Sequence, residues 1–148
     1  MTVYALTTTR QLLLKLKLFQ GMTEEDVSTM LGHAELLEYE AGVFPIREGE
    51  QGQHLFILMA GQVEIIKRGV RQHKVIKTLG PGECFGEMSL IECRARSASV
   101  KTTCACRLLR INGAQIAAMP DIAIKLYRNI AVLLSQRLRH ANELLALG

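Results

Sequence analysis

The stretch FGEMSLIECRARSASV, residues 85–100, joins a Gly-Glu step at Gly86 and Glu87 to Arg96, which heads a run that alternates like a strand. Glycine lets another molecule approach the backbone at Gly86. The residues that follow are enough for a single helical turn. The first amides of such a turn, on Met88 and Ser89, have no intrahelical acceptor and form a natural anion pocket. Arg96 is placed to close over the same anion with its planar fork, each charge-assisted bond contributing on the order of 1.5–3 kcal/mol. Glu87, acceptor-only when ionised, suits a hydroxyl. An anion beside a hydroxyl is what a sugar phosphate offers. The plainer reading is a surface ion pair between Glu87 and Arg96, with the glycines serving turns.

On both sides of this stretch the hydrophobic period changes. Leu12, Leu13, Leu16 and Phe19 form a helical stripe, and Thr23 with Asp26 three positions on is a capping-box variant that opens a second helix. From about Glu35 the period becomes two. ELLEYE, VFPIRE, HLFILMA, QVEIIKRG, QHKVIKTL, RSASVKT and CRLLRI read as short strands punctuated by glycine, the pattern of a small sandwich, jelly roll or barrel. After Asn112 the helical period returns. NGAQIAAM is one short helix, and Pro120-Asp121 opens a long one. Its apolar positions are Ile122, Leu126, Ile130, Leu133, Leu134, Leu138, Ala141 and Leu145.

No repeat, linker or low-complexity tract divides the 148 residues, so one domain is expected: helices over 1–33, a β-roll over 34–111 and helices over 112–148. Composition is ordinary for a globular chain, with 49% apolar and 22% charged residues, and it excludes disordered and fibrous classes. A net charge of +4 does not repel a small anion. The closest approach to a nucleic-acid patch is RLRH in the last helix, so direct nucleic-acid binding is not expected. No run is long and apolar enough to span a bilayer and no signal peptide is readable, so no membrane partner is expected. Cys84, Cys93, Cys104 and Cys106 make no C-x-x-C pair, and reduced thiols in a cytoplasmic protein are the simplest reading. Strand spacing would turn Cys104 and Cys106 to one face, where core packing explains them.

The stretch 85–100 resembles the phosphate-binding cassette of the cyclic nucleotide-binding domain family, whose members include the catabolite activator protein and protein kinase A regulatory subunits. Phe85-Gly86-Glu87, Ser89 and Arg96-Ser97-Ala98 match the cassette pattern, here residues 85–98. EYEAGVFPIREGEQGQHLFILMAGQVEI and LGPGECFGE resemble the sequence leading to it. In all, about residues 19–146 resemble the family. The resemblance implies an α+β, mainly β fold: an antiparallel, jelly-roll-like β-roll flanked by N-terminal helices and a long C-terminal helix. It implies a ligand, cAMP or cGMP, and no cofactor. Glu87 would accept from the ribose 2′-hydroxyl beside the Gly86 backbone. Arg96 would pair with the cyclic phosphate, the amides near Met88 and Ser89 completing the cradle. Ser97 would offer a hydroxyl to the phosphate or to a guanine edge. In the lid the chain departs from the catabolite activator, whose Thr-Ser pair falls on Arg137 and Leu138. Arg137 is the lid candidate, closer in type to the family's cyclic-nucleotide-gated channels, whose terminal helix also brings a basic residue to the base.

Other readings are weaker. A cupin-like metal site needs paired histidines, whereas His33, His54, His73 and His140 are scattered, so no metal is expected. Relatives with an iron–sulfur sensor group their cysteines before the β-roll, where this chain has none. No catalytic arrangement is readable, so an enzyme is not expected. DNA-binding relatives append a helix-turn-helix domain after the long helix, and none is expected in this chain. The expected function is a cyclic nucleotide sensor in which ligand closes the C-terminal helix and passes the signal to an effector protein. The helix's apolar stripe is a candidate homodimer seam, with packing on its own β-roll as the alternative. The competing function is an interaction scaffold of the same fold that binds no nucleotide.

Overall fold

The computed structural model describes residues 3–92 and 94–147. Helix α1 (Val3–Leu14) is followed by a 3-10 turn (Lys17–Phe19) and by α2 (Glu24–Leu31). Here the single predicted stripe is corrected. The helix stops at Leu14, the turn resets the phase, and the buried anchors become Leu13, Leu18 and Phe19, with Leu12 outward. The Thr23 cap forms as expected: Thr23 Oγ1 accepts from the Asp26 amide, and the Asp26 carboxylate accepts from the Thr23 amide, each at 3.0 Å.

Seven strands follow: β1 (Ala34–Tyr39), β2 (His54–Ala60), β3 (Val63–Arg68), β4 (His73–Leu79), β5 (Cys84–Phe85), β6 (Ser99–Thr102) and β7 (Cys106–Asn112). They make two antiparallel sheets, in the orders β1-β7-β2-β5 and β4-β3-β6. Between the sheets lie Phe56, Leu58, Val63, Leu79, Phe85, Val100 and Leu108, with the Phe56 and Phe85 rings stacked 5.0 Å apart. The other face of the first sheet presents Leu55, Ile57, Leu109 and Ile111 to the helices. Strand β2 is therefore buried on both faces, which is why HLFILMA does not alternate.

Within residues 43–50, the stretch 43–48 predicted as a strand forms no ladder; Pro45 has no amide to donate, and a single bridge joins Ile46 to Val100. This segment instead runs beside the cassette, with the Arg96 amide donating to Glu50 O at 2.9 Å and the Gly49 amide to Arg96 O at 2.8 Å. The shared face expected for Cys104 and Cys106 is also not formed. Cys106 is buried at the start of β7, whereas Cys104 is exposed in the bend before it, where the backbone is not extended. Cys84, Cys104 and Cys106 are unpaired, and Cys93 lies outside the described residues.

The helix α3 (Met88–Glu92) follows β5, and α4 (Gly113–Ala117), capped by Asn112, leads into α5 (Pro120–Leu147). The first half of α5 is anchored by Ile122, Ala123, Leu126 and Ile130, and by Asn129, which donates to Leu18 O at 2.8 Å and Gln20 O at 2.9 Å. No helix among the described residues is long and apolar enough to cross a membrane.

Candidate functional site

Strand β5 pairs with β2 and delivers the chain to Gly86, whose φ of +82° is a left-handed conformation. A Cβ there would stand 2.6 Å from His54 O and 2.9 Å from Arg96 Nη1, so glycine is required twice over. The chain then enters α3, and residues 94–98 return along the 43–50 segment. That return brings Arg96 back beneath the turn. Its Nη1 donates to Ser89 Oγ at 2.6 Å and to Gly86 O at 3.2 Å, and its Nη2 donates to His54 O at 3.0 Å.

Arg96 is only 8% exposed, Glu87 7% and Ser89 6%. The surface ion pair between Glu87 and Arg96 that the plainer reading offered is not formed. Glu87 Oε1 instead accepts from Arg137 Nη1 at 2.6 Å, a contact by which the long helix reaches the cassette. Arg96 has no carboxylate of the described residues within ion-pair distance. Burial pulls its guanidinium below the ordinary arginine value, and nearby Glu87 opposes that fall. A buried cation held only by neutral acceptors is costly, and an arriving anion would relieve that cost.

The remaining predicted residues divide. The Ser89 amide is not a free anion donor: it closes the turn by donating to Gly86 O at 3.3 Å, and Ser89 contributes its hydroxyl to Arg96 instead. Met88 lines the cavity with a partly exposed side chain. Ser97 also lines it, while its carbonyl accepts from Lys67 Nζ. The cavity, of about 300 Å³, lies between the cassette, the second sheet and Arg137. That volume falls at the lower end of ordinary ligand pockets, roughly 300–1,000 Å³. Sequence reasoning missed Ile65, Ile76 and Lys77 on its wall, and His54 as an acceptor for Arg96. Residues Ile65 and Ile76 carry no signal distinct from core packing. Cys84, also on the wall, has its thiol pushed up to about 12 by burial, with Glu87 adding to the shift.

The family model described as "Cyclic nucleotide-binding domain" matches residues 36–121. The chain belongs to the cyclic nucleotide-binding domain family. As a member of that family, it is similar to the Cyclic AMP receptor protein of Thermus thermophilus, at 32% identity over 126 residues, covering 84% of this chain and 58% of that protein. It is 37% identical over 93 residues to human cGMP-dependent protein kinase 2, covering 62% of this chain and 12% of the kinase. The chain thus spans little more than half, or much less, of these curated relatives. Among solved cyclic nucleotide-binding domains, the regulatory domain of Toxoplasma gondii PKA with cAMP superposes with a TM-score of 0.75 at 28% identity, covering 80% of this chain and 45% of that one. The observed β-roll between N-terminal helices and a long C-terminal helix is the fold of this family.

Proposed function

We propose that this chain binds a purine cyclic nucleotide and works as a sensor module without chemistry of its own. The observation that carries the reading is Arg96, a buried guanidinium with no carboxylate of the described residues in ion-pair range, on the wall of a cavity that also holds Glu87 and Ser97. The cyclic phosphate would pair with Arg96 and take a further hydrogen bond from the Met88 amide. The ribose hydroxyl would donate to Glu87, whose second carboxylate oxygen accepts from none of the described residues. Ser97 would face the phosphate or the base, and Arg137 would cover the base from α5. The names of the relatives supply both candidate ligands, cyclic AMP and cyclic GMP.

Relay follows from the Glu87–Arg137 contact. A ligand that engages Glu87 acts on the group that holds α5, and it shifts the helix toward closure by its differential affinity for the closed state. An effector protein, or a second copy of this chain, would read the position of α5.

Isothermal titration of nucleotide-stripped protein with cyclic AMP and cyclic GMP, beside Arg96→Lys, tests the site. Saturable heat lost in the variant supports it, and the ratio of affinities gives the signal. Silence with both ligands, from protein shown to be folded, would favour the interaction scaffold.

A further inference from the structure

The densest run of positive charge is not the RLRH of α5 but residues 67–77, KRGVRQHKVIK. It holds five of the 18 Lys and Arg and none of the 14 Asp and Glu, so the rest of the chain has one more acid than base. The fold makes this run a projecting hairpin. Strands β3 and β4 flank a loop, residues 69–72, closed by the Gly69 amide donating to Gln72 O at 2.9 Å. Strand β4 is the edge of its sheet, and every residue from His73 to Thr78 is exposed.

Two features are unfavourable for the isolated protein. Lys74 stands directly opposite Lys67, a like-charge cross-strand pair that destabilises a sheet, and Glu48, 3.0 Å from Lys67, is the acid that offsets it. Val70 is fully exposed at the tip and Val75 is exposed on β4. We propose that this hairpin is a docking surface for an anionic phospholipid bilayer, with Arg71, Lys74 and their neighbours on the headgroups and Val70 at the acyl boundary. Charge complementarity selects an anionic partner, and each Lys or Arg near such a surface contributes roughly a fivefold factor in partition. The aliphatic tip selects lipid over nucleic acid, because residues 67–77 hold no Phe, Tyr or Trp on which bases stack. This contact is peripheral, so it needs none of the spanning length whose absence made a membrane partner unexpected.

The test is co-sedimentation of the full 148-residue chain with vesicles of phosphatidylcholine alone or doped with phosphatidylglycerol, in low salt. Capture by the doped vesicles only is expected, weakened at least about thirtyfold in Arg71→Glu/Lys74→Glu and severalfold in Val70→Ser. These three side chains are exposed, so the variants should stay folded, and the one carrying Lys74→Glu, which relieves the like-charge pair with Lys67, should melt no lower than wild type. Equal capture by neutral vesicles, or an unaffected charge-reversal variant, overturns the proposal. So does fluorescence anisotropy showing duplex DNA or single-stranded RNA bound more tightly than the doped vesicles at the same salt.

Discussion

Arg96 ties together His54 O, Gly86 O and Ser89 Oγ with the guanidinium that also faces the cavity, so its substitution reaches both fold and binding. Arg96→Lys keeps the charge but loses the fork. Losing two charge-assisted bonds to a phosphate should weaken nucleotide binding roughly a hundredfold or more. Arg96→Ala should lose binding too and also lower the melting temperature, because the cassette loses its tie to β2. Titration and a thermal melt on both variants separate the two effects, and undiminished affinity in Arg96→Lys would remove Arg96 from the site. Arg137 acts differently. Its side chain is 44% exposed and that of Glu87 only 9%, so losing Arg137 leaves a mostly buried carboxylate without its cation rather than breaking a surface pair. Arg137→Ala should therefore melt below wild type and bind nucleotide severalfold more weakly, having lost its lid. Tighter binding instead would mean that Arg137 competes with the ligand for Glu87. The thiols give a third check at this scale. Burial holds Cys84 at about 12, far from the thiolate that alkylation needs, whereas Cys104 is exposed. Mass spectrometry after brief iodoacetamide treatment near neutral pH should find Cys104 modified well before Cys84; equal rates would show the β-roll opening at that site.

At the scale of elements, α2 shows how local chemistry becomes stability. The Asp26 carboxyl lies below its ordinary value near 3.8, first through the hydrogen bond from Lys125 Nζ at 2.6 Å and then through the Thr23 amide. A depressed folded value means that Asp26 stabilises the protein above the unfolded carboxylate value, and that this contribution is lost as pH falls through the folded one. Asp26→Asn should thus melt below wild type near neutrality, with the gap closing in acid below about pH 4. A gap unchanged by pH would assign the loss to cap geometry alone. The cap was legible in sequence because it is local, a threonine and an acid three residues apart. So was the turn after Gly86, because the Gly-Glu step marks its start. The 43–48 stretch was not, since its apolar run from Val43 to Ile46 reads as a strand although Pro45 cannot donate to a ladder. The amide of Ser89 was misjudged because so short a turn uses it internally. The Glu87–Arg137 pair spans fifty residues and depends on how α5 packs, which no spacing rule contains. Counting along the helix singled out Arg137 but not its partner.

For the whole molecule, the exposed end of the α5 stripe is the candidate seam between copies of the chain. At 28 residues it is roughly 42 Å long, and its buried anchors end at Ile130, with Leu133 and Leu134 half-buried. Beyond them Leu138 and Leu145 are 62% and 78% exposed, so this part of the stripe does not pack on its own β-roll. Leu134, Leu138, Ala141 and Leu145 follow one another at four, three and four residues, the spacing of a two-helix seam. The chain should therefore be a dimer by size-exclusion chromatography with light scattering, and Leu138→Glu/Leu145→Glu should yield a folded monomer. A monomeric wild type would sink the seam and leave these leucines to another partner. The seam begins next to Arg137, whose contact with Glu87 the ligand is proposed to engage. Binding and association then share one element, and linkage requires each to change the other by the same factor. Saturating nucleotide should change the dimer dissociation constant, measured by sedimentation equilibrium, and the monomeric variant should bind nucleotide with an affinity altered in the reciprocal sense. Arg137→Ala should uncouple the two. A dimer constant indifferent to nucleotide would place the output of the sensor on another surface than α5.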